Sequence, residues 1–207
     1  MVPQTTDKIQ EIEKFIFVVT YGRSGSTLMQ NLLNSLDGAC VRGENGNALL
    51  PLARAWNSVR TSPNLRKLHR RGNETASTSP WFGGENIDPE RYGRALAEVF
   101  TQEILSPPPG TRLSGFKEIR WTREAANFEV TMNFARTCFP NARFVFNTRD
   151  HGEVANSGWW ADVPVEKVRA NLTRAETLYD EYLSKHPNCG IRVHYNDYVK
   201  DHDALRP

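Results

Sequence analysis

The sequence feature that most constrains the fold is a strand, a glycine-rich turn and a helix in direct succession. Five consecutive apolar residues, Phe15 to Val19, predict a strand that is buried on both faces. The turn Tyr21 to Gly25 follows at once, and after it leucines recur at helical spacing, at Leu28, Leu32, Leu33 and Leu36. This succession is half of a βαβ crossover, so we expect the chain to build a parallel sheet.

The rest of the sequence continues the alternation of strands and helices. Further strands are predicted at Leu113 to Lys117, Arg143 to Thr148 and Ile191 to Tyr195. Helices are predicted after the Asp88–Pro89 capping pair, around residues 128–135 and over residues 165–182. The fold class is therefore expected to be α/β, with three layers: a central, mainly parallel sheet and helices on its two faces.

All 207 residues are expected to form one domain. Residues 61–86 lack periodicity and are rich in Ser, Thr, Asn and Gly, so they are predicted to form a long loop. Trp81 and Phe82, next to two glycines, suggest that this loop is a mobile lid with an aromatic tip.

Composition and charge exclude several classes of protein. The 26 Lys and Arg against 24 Asp and Glu leave a net charge of +2, which argues against a general nucleic-acid binder. No apolar run approaches the roughly 20 residues that span a bilayer, and the polar N-terminus carries no signal-peptide core. The three cysteines form neither a disulfide framework nor a metal-binding spacing. We therefore expect a cytoplasmic protein without a transmembrane segment.

The turn after the first strand is predicted to bind an anion. A helix N-terminus leaves backbone N–H groups unpaired and carries roughly half a positive charge, and glycines let those groups converge on a phosphate. The residues that would do so are Gly22, Arg23, Ser24, Gly25, Ser26 and Thr27. No Lys follows Gly25, so the turn is P-loop-like but lacks the ATPase signature. The alternative is a plain strand–helix turn with Ser26 as its N-cap.

A second anion site is predicted at the end of the strand Arg143 to Thr148. Arg149 follows this strand, at the edge where open α/β sheets bind ligands. Asp150 and Glu153 have the spacing of a capping box, so a helix should begin there, with Ser157 about two turns into it. Eight positions separate Arg149 from Ser157, which would let both face one further phosphate.

These two elements, in this order, resemble the sulfotransferases that use 3′-phosphoadenosine 5′-phosphosulfate (PAPS), including bacterial and carbohydrate-directed members. In that family a turn like Gly22–Thr27 holds the 5′-phosphosulfate, and an Arg and Ser spaced like Arg149 and Ser157 hold the 3′-phosphate. Gly115–Trp121 looks like the family's central strand, and Arg192–Tyr198 looks like its Tyr–acidic segment. The resemblance implies PAPS as co-substrate, no metal, and transfer to a hydroxyl of a carbohydrate or small metabolite.

Catalytic roles follow from this resemblance. Arg23 is the first candidate to stabilise the leaving phosphate, because its planar fork suits a pair of phosphate oxygens, and Lys117 is the second. Glu44 follows the first helix, where bacterial and carbohydrate-type members carry a Glu that acts as base. Glu118 is a rival base, although strand alternation points it away if Lys117 faces the site. His151 is a further rival beside Arg149.

The acceptor is less constrained by the sequence. Residues 45–73 contain six Lys and Arg and neither Asp nor Glu, which would attract an anionic acceptor or simply form a solvated surface. Trp159 and Trp160 could stack on adenine or on a sugar ring, or at least one of them could belong to the core. Two other functions stay open, a small-molecule kinase with a degenerate phosphate loop and a non-catalytic nucleotide-binding protein. The family's Gly- and basic-rich closing loop is missing before Pro207, so the chain is expected to be a short variant or incomplete.

Overall fold

A computed structural model describes residues 12–200 of the protein. Over that range the strands are β1 (Lys14–Val19), β2 (Ala39–Arg42), β3 (Leu113–Glu118), β4 (Arg143–Thr148) and β5 (Gly190–His194). They form one sheet in the order β2-β3-β1-β4-β5, and every neighbouring pair is parallel. The predicted α/β class with a parallel central sheet is confirmed.

The central strand β1 is buried on both faces, as its unbroken apolar run predicts. Phe17 is opposite Phe116 of β3 and Phe144 of β4, and all three rings are buried. The ring centroids of Phe17 and Phe116 lie 5.2 Å apart in an edge-to-face arrangement. Burying each such side chain contributes roughly 1.5–3 kcal/mol, so this aromatic cluster is a major part of the core.

Helices cover both faces of the sheet. They are α1 (Ser26–Asn34), α2 (Leu49–Thr61), α3 (Pro63–Arg71), α4 (Pro89–Val99), α5 (Ala125–Cys138), α6 (His151–Ala155), α7 (Val165–Lys185) and α8 (Tyr195–Lys200). Met29 of α1 and Tyr198 of α8 pack with Val18 on one face, and α2, α4, α5 and α7 build the larger core on the other. The Asp88 side chain accepts a hydrogen bond from the Glu90 N–H, which confirms the predicted N-cap of α4.

The segment predicted as a long loop over residues 61–86 contains a helix, so that prediction is wrong in its first half. Pro63 begins α3, and the Ser62 side chain accepts a hydrogen bond from the backbone N–H of Leu65. Helix α3 has no buried residue, which is why no apolar period marked it in the sequence. Strand β2 and helix α2 were likewise not predicted.

The topology places a crevice at the carboxyl end of β1. Strand β1 lies between β3 and β4, and the chain leaves it through α1 on one face but leaves β3 through α5 on the other. Open α/β sheets bind ligands where the connections diverge in this way. Within residues 12–200, no helix is both long and apolar enough to cross a membrane.

Candidate active site

A buried polar network fixes the turn that follows β1. The Thr20 hydroxyl lies 2.6 Å from the Ser24 hydroxyl and donates to the carbonyl oxygen of Asn147, 2.8 Å away. The Asn147 side-chain amide donates in return to the Ser24 carbonyl, at 2.9 Å. Since a buried polar group without a partner costs about 1–3 kcal/mol, this closed set ties the turn to β4. The Ser24 hydroxyl therefore faces the protein interior, and Ser24 can bind an anion only through its backbone.

Two aromatic rings pack directly on the glycines of the turn. A Cβ atom on Gly25 would lie 2.0 Å from the ring of Tyr195, and one on Gly22 would lie 2.3 Å from the ring of Trp159. Gly25 also has a φ of 76°, a conformation that side chains disfavour. Gly25 therefore requires glycine on two grounds, whereas a side chain at Gly22 would have to displace the half-exposed ring of Trp159.

The first turn of α1 is open toward solvent. Gly25 occupies the N-cap position, and no side chain of residues 12–200 caps the helix. The backbone N–H groups at the start of a helix lack partners within it and carry the positive end of its dipole. Ser26 and Thr27 line the cavity above them, so the turn can hold an anion by its backbone.

That cavity has a volume of about 330 Å³. Its lining comprises Gly22, Arg23, Gly25, Ser26, Thr27, Glu44, Lys117, Ile119, Arg149 and Trp159. Three cations of this lining, Arg23, Lys117 and Arg149, face one carboxylate, Glu44. The excess positive charge suits a ligand with more than one acidic group.

Arg149 reaches the cavity from the end of β4, as its place in the sequence predicts. Its guanidinium donates to the carbonyl oxygen of Arg23 at 3.3 Å and to the Glu153 carboxylate at 2.8 Å. The same group lies 4.4 Å from the ring centroid of Tyr195. The hydrogen bond from Arg149 lowers the pKa of Glu153. Arg149 is therefore held beside the turn, and its remaining N–H groups are available to a ligand.

Ser157 comes to the same turn by a different route from the one predicted. Helix α6 ends at Ala155, and Ser157 precedes a short 3₁₀ helix, Gly158–Asp162, so it does not lie two turns into a helix. Its hydroxyl accepts a hydrogen bond from Nε of Arg23, at 3.0 Å. Ser157 thus contacts Arg23 and lies outside the cavity lining itself.

Lys117 and Glu44 form an ion pair at the floor of the cavity. Nζ of Lys117 lies 2.7 Å from Oε1 of Glu44, and the Lys117 side chain is 8% exposed. A guanidinium nitrogen of Arg120 contacts the other oxygen of Glu44 at 3.0 Å. Both candidate residues therefore meet in space, although 73 positions separate them in the sequence.

The two rival bases have other bonding partners. Glu118 is buried, and its carboxylate accepts backbone N–H bonds from Asn45, Asn47, Ile119 and Arg120. This carboxylate anchors the loop that carries Glu44. His151 lies 3.0 Å from the Glu176 carboxylate and does not line the cavity.

Several site residues were not identified from the sequence. The roles of Arg120 and Asn147 depend on contacts between distant segments, which local patterns do not encode. Tyr21 accepts a hydrogen bond from the Arg149 N–H at 2.9 Å and donates to Glu176 at 2.7 Å. Burial and the bond to Glu176 raise the pKa of the Tyr21 phenol well above its usual range. The phenol therefore stays neutral and links the backbone of Arg149 to Glu176.

The basic segment of residues 45–73 begins directly after Glu44 and is helical over most of its length. Its residues form α2 and α3, and Arg54 pairs with Glu124 while Arg60 stacks on Trp56. None of its six cations lines the cavity described above. Trp81 and Phe82 are exposed beside α3, and their role as a lid stays a prediction. No group of three or more His, Cys, Asp or Glu residues between positions 12 and 200 could hold a metal ion.

Comparison with known proteins identifies the family. A family model described as "Sulfotransferase family" matches residues 16–205. Among solved structures, the sulfotransferase domain from the curacin biosynthetic pathway is similar, with a TM-score of 0.52 and 17% identity over 94% of this chain and 71% of that one. At that identity the likeness concerns the fold alone, and no curated protein matches the sequence. The match to the family model extends over nearly all of the described residues and supports sulfuryl transfer as the general chemistry. The chain therefore belongs to the sulfotransferase family.

Proposed function

We propose that the protein transfers a sulfuryl group from PAPS to a hydroxyl of a carbohydrate or small-metabolite acceptor, with Glu44 as general base. The observation that carries this proposal is the convergence of the turn Gly22–Thr27 with Glu44, Lys117 and Arg149 around one cavity. An anion-binding turn, further cations and a carboxylate are the groups that this reaction requires.

The charges that line the cavity support a nucleotide with acidic groups at both ends of its ribose as the ligand. The backbone N–H groups from Gly25 to Thr27, with Arg23, would hold the 5′-phosphosulfate. Arg149 would hold the 3′-phosphate, because it has N–H donors beyond those given to Arg23 and Glu153. Ser157 would support this site through its bond to Arg23. When bound, PAPS supplies an activated sulfuryl group whose leaving group is a phosphate.

Glu44 and Lys117 divide the chemical work in this proposal. Each oxygen of the Glu44 carboxylate has two lone pairs. The carboxylate can therefore accept a hydrogen bond from the hydroxyl of the substrate while it still contacts Lys117 and Arg120. Lys117 is nearly buried, and a buried ammonium needs an anionic partner. It would share its charge between Glu44 and the bridging oxygen, on which negative charge develops as the leaving phosphate departs.

The test combines binding with transfer. Calorimetric titration with adenosine 3′,5′-bisphosphate, against ATP with Mg²⁺, examines the nucleotide site, and transfer of labelled sulfate to a panel of hydroxyl acceptors examines the reaction. The Glu44→Gln variant should lower turnover by about a hundred- to ten-thousandfold, as expected for loss of a general base. It should not weaken bisphosphate binding, because it removes a negative charge from the lining of the cavity. Glu124→Gln, another carboxylate paired with an arginine but outside the cavity, is the matched control.

Each part of the proposal has its own contrary result. Binding of ATP without binding of the bisphosphate would exclude PAPS and favour a kinase. Undiminished transfer by Glu44→Gln would leave the nucleotide site in place and remove Glu44 as base. Bisphosphate binding without transfer to any acceptor would favour a non-catalytic protein.

A further inference from the structure

A second cavity adjoins the first at the same edge of the sheet. It has a volume of about 380 Å³ and lies between the segment after β3 and helix α7. It shares Gly22, Ile119 and Trp159 with the cavity of the anion-binding turn. The shared lining places the two cavities side by side, so a molecule in the second would lie next to a ligand in the first.

Arginines give the second cavity its charge. Arg120, Arg123 and Arg174 line it, and its lining contains no carboxylate. Arg120 is paired with Glu44 and Glu118. By contrast, the guanidinium groups of Arg123 and Arg174 form no hydrogen bond or ion pair with any residue from 12 to 200, so two positive charges face the cavity without a counter-ion from that part of the chain.

The remaining wall is largely aromatic and aliphatic. Trp160 is fixed there, because its indole N–H donates to the carbonyl oxygen of Gly22 at 3.2 Å. Trp159 is about half exposed, at 52%, and Leu172 and Ala175 of α7 complete this side. An indole face of this kind suits the apolar face of a sugar ring or an aliphatic chain.

We propose that this second cavity binds the acceptor, and that Arg123 and Arg174 select acceptors that carry a carboxylate beside an apolar face. This inference rests on the proposed function. Two arginine forks match the planar carboxylate by paired N–H···O bonds, whereas the tryptophans supply the apolar contact. The acceptor hydroxyl oxygen would bond to sulfur as the bond from sulfur to the phosphate oxygen breaks. Its proton would pass to Glu44, leaving a sulfate ester and adenosine 3′,5′-bisphosphate.

The test compares two ligands that differ chiefly in one carboxylate. Octyl β-glucuronide and octyl β-glucoside are titrated calorimetrically into protein saturated with adenosine 3′,5′-bisphosphate. A charge-assisted pair of hydrogen bonds predicts that the wild type binds the glucuronide about tenfold more tightly than the glucoside. In the double variant Arg123→Gln/Arg174→Gln this preference should fall to within about twofold. Arg169→Gln, an exposed arginine of α7 outside the cavity, should keep it.

The outcomes separate this inference from the proposed function. Equal affinity for the two glycosides, no binding of either, or an unchanged preference in the double variant would overturn the assignment of Arg123 and Arg174. In all three cases, the prior titration with the bisphosphate still reports on the nucleotide site. Failure of the bisphosphate itself to bind would instead overturn the proposed function.

Discussion

Glu118 offers a sharp test of the site architecture, because its carboxylate is buried and fully engaged. One oxygen accepts the backbone N–H groups of Asn45 and Asn47, and the other accepts those of Ile119 and Arg120. The Arg120 guanidinium adds an ion pair at 3.0 Å. In Glu118→Gln, an NH₂ group must replace one of the two oxygens, so two backbone N–H groups will face a donor instead of an acceptor.

The cost follows from these contacts. Two mispaired buried N–H groups at about 1–3 kcal/mol each give about 2–6 kcal/mol. A neutral amide costs less to bury than a carboxylate, which offsets part of this loss. We therefore expect the free energy of unfolding to fall by about 2–4 kcal/mol. With an m value of about 2 kcal/mol per molar urea, the unfolding midpoint drops by about 1–2 M.

Urea unfolding followed by tryptophan fluorescence measures this difference directly. Glu181→Gln, the same substitution at an exposed position of α7, is the control and should leave the midpoint unchanged within error. Glu44→Gln is not a control for stability, because it leaves the nearly buried ammonium of Lys117 without its anionic partner. If Glu118→Gln unfolds at the midpoint of the Glu181 control, the carboxylate does not hold the Glu44 loop, and the reasoning fails.

The other predictions concern ligand binding, backbone geometry and pH. Arg149→Ala should weaken binding of adenosine 3′,5′-bisphosphate about ten- to a hundredfold and hardly change that of adenosine 5′-phosphate, by calorimetry; equal losses would make Arg149 structural. Gly25→Ala should abolish bisphosphate binding, since its Cβ would meet the Tyr195 ring at 2.0 Å, and retained affinity would contradict that packing. Burial, followed by the charge of Arg136, lowers the pKa of His186 below 6.5. The unfolded chain then binds the proton more readily, so unfolding free energy should fall as pH drops from 7.5 to 5.5, and less so in His186→Gln.

The parts of the fold that the sequence predicts are those with a strong local signal. Strand β1 has an unbroken apolar run, β4 has the shorter buried run Phe144 to Phe146, and Asp88 before Pro89 marks the start of α4. Helix α3 carries a similar mark, Ser62 before Pro63, but its two half-buried leucines, Leu65 and Leu68, are too few to form a recognisable apolar stripe. The cap thus marks the true start of α3, whereas the lack of periodicity led to the wrong prediction of a loop.

The candidate site was predictable only in pieces. Arg149 and Lys117 could be assigned to the site because each lies at the end of a predicted strand. Parallel sheets bind ligands at the carboxyl ends of their strands. The partners of Glu44 could not, since Arg120 lies 76 positions away and the contact depends on how a loop folds over β3. The helical placement predicted for Ser157 was wrong, because α6 stops at Ala155. Ser157 instead contacts Arg23 of the turn, a contact between distant segments that local patterns do not encode.

The uncapped start of α1 has a thermodynamic consequence. No side chain within residues 12–200 completes that first turn, so an anionic ligand would act as the missing cap. Ligand binding at the turn and folding of the helix are then linked equilibria. Binding raises the free energy of unfolding by about 2.7 kcal/mol at a ligand concentration a hundred times the Kd. The amide protons of Ser26 and Thr27 should exchange with solvent more slowly when the anionic ligand is bound. A neutral molecule of the same shape should not slow their exchange.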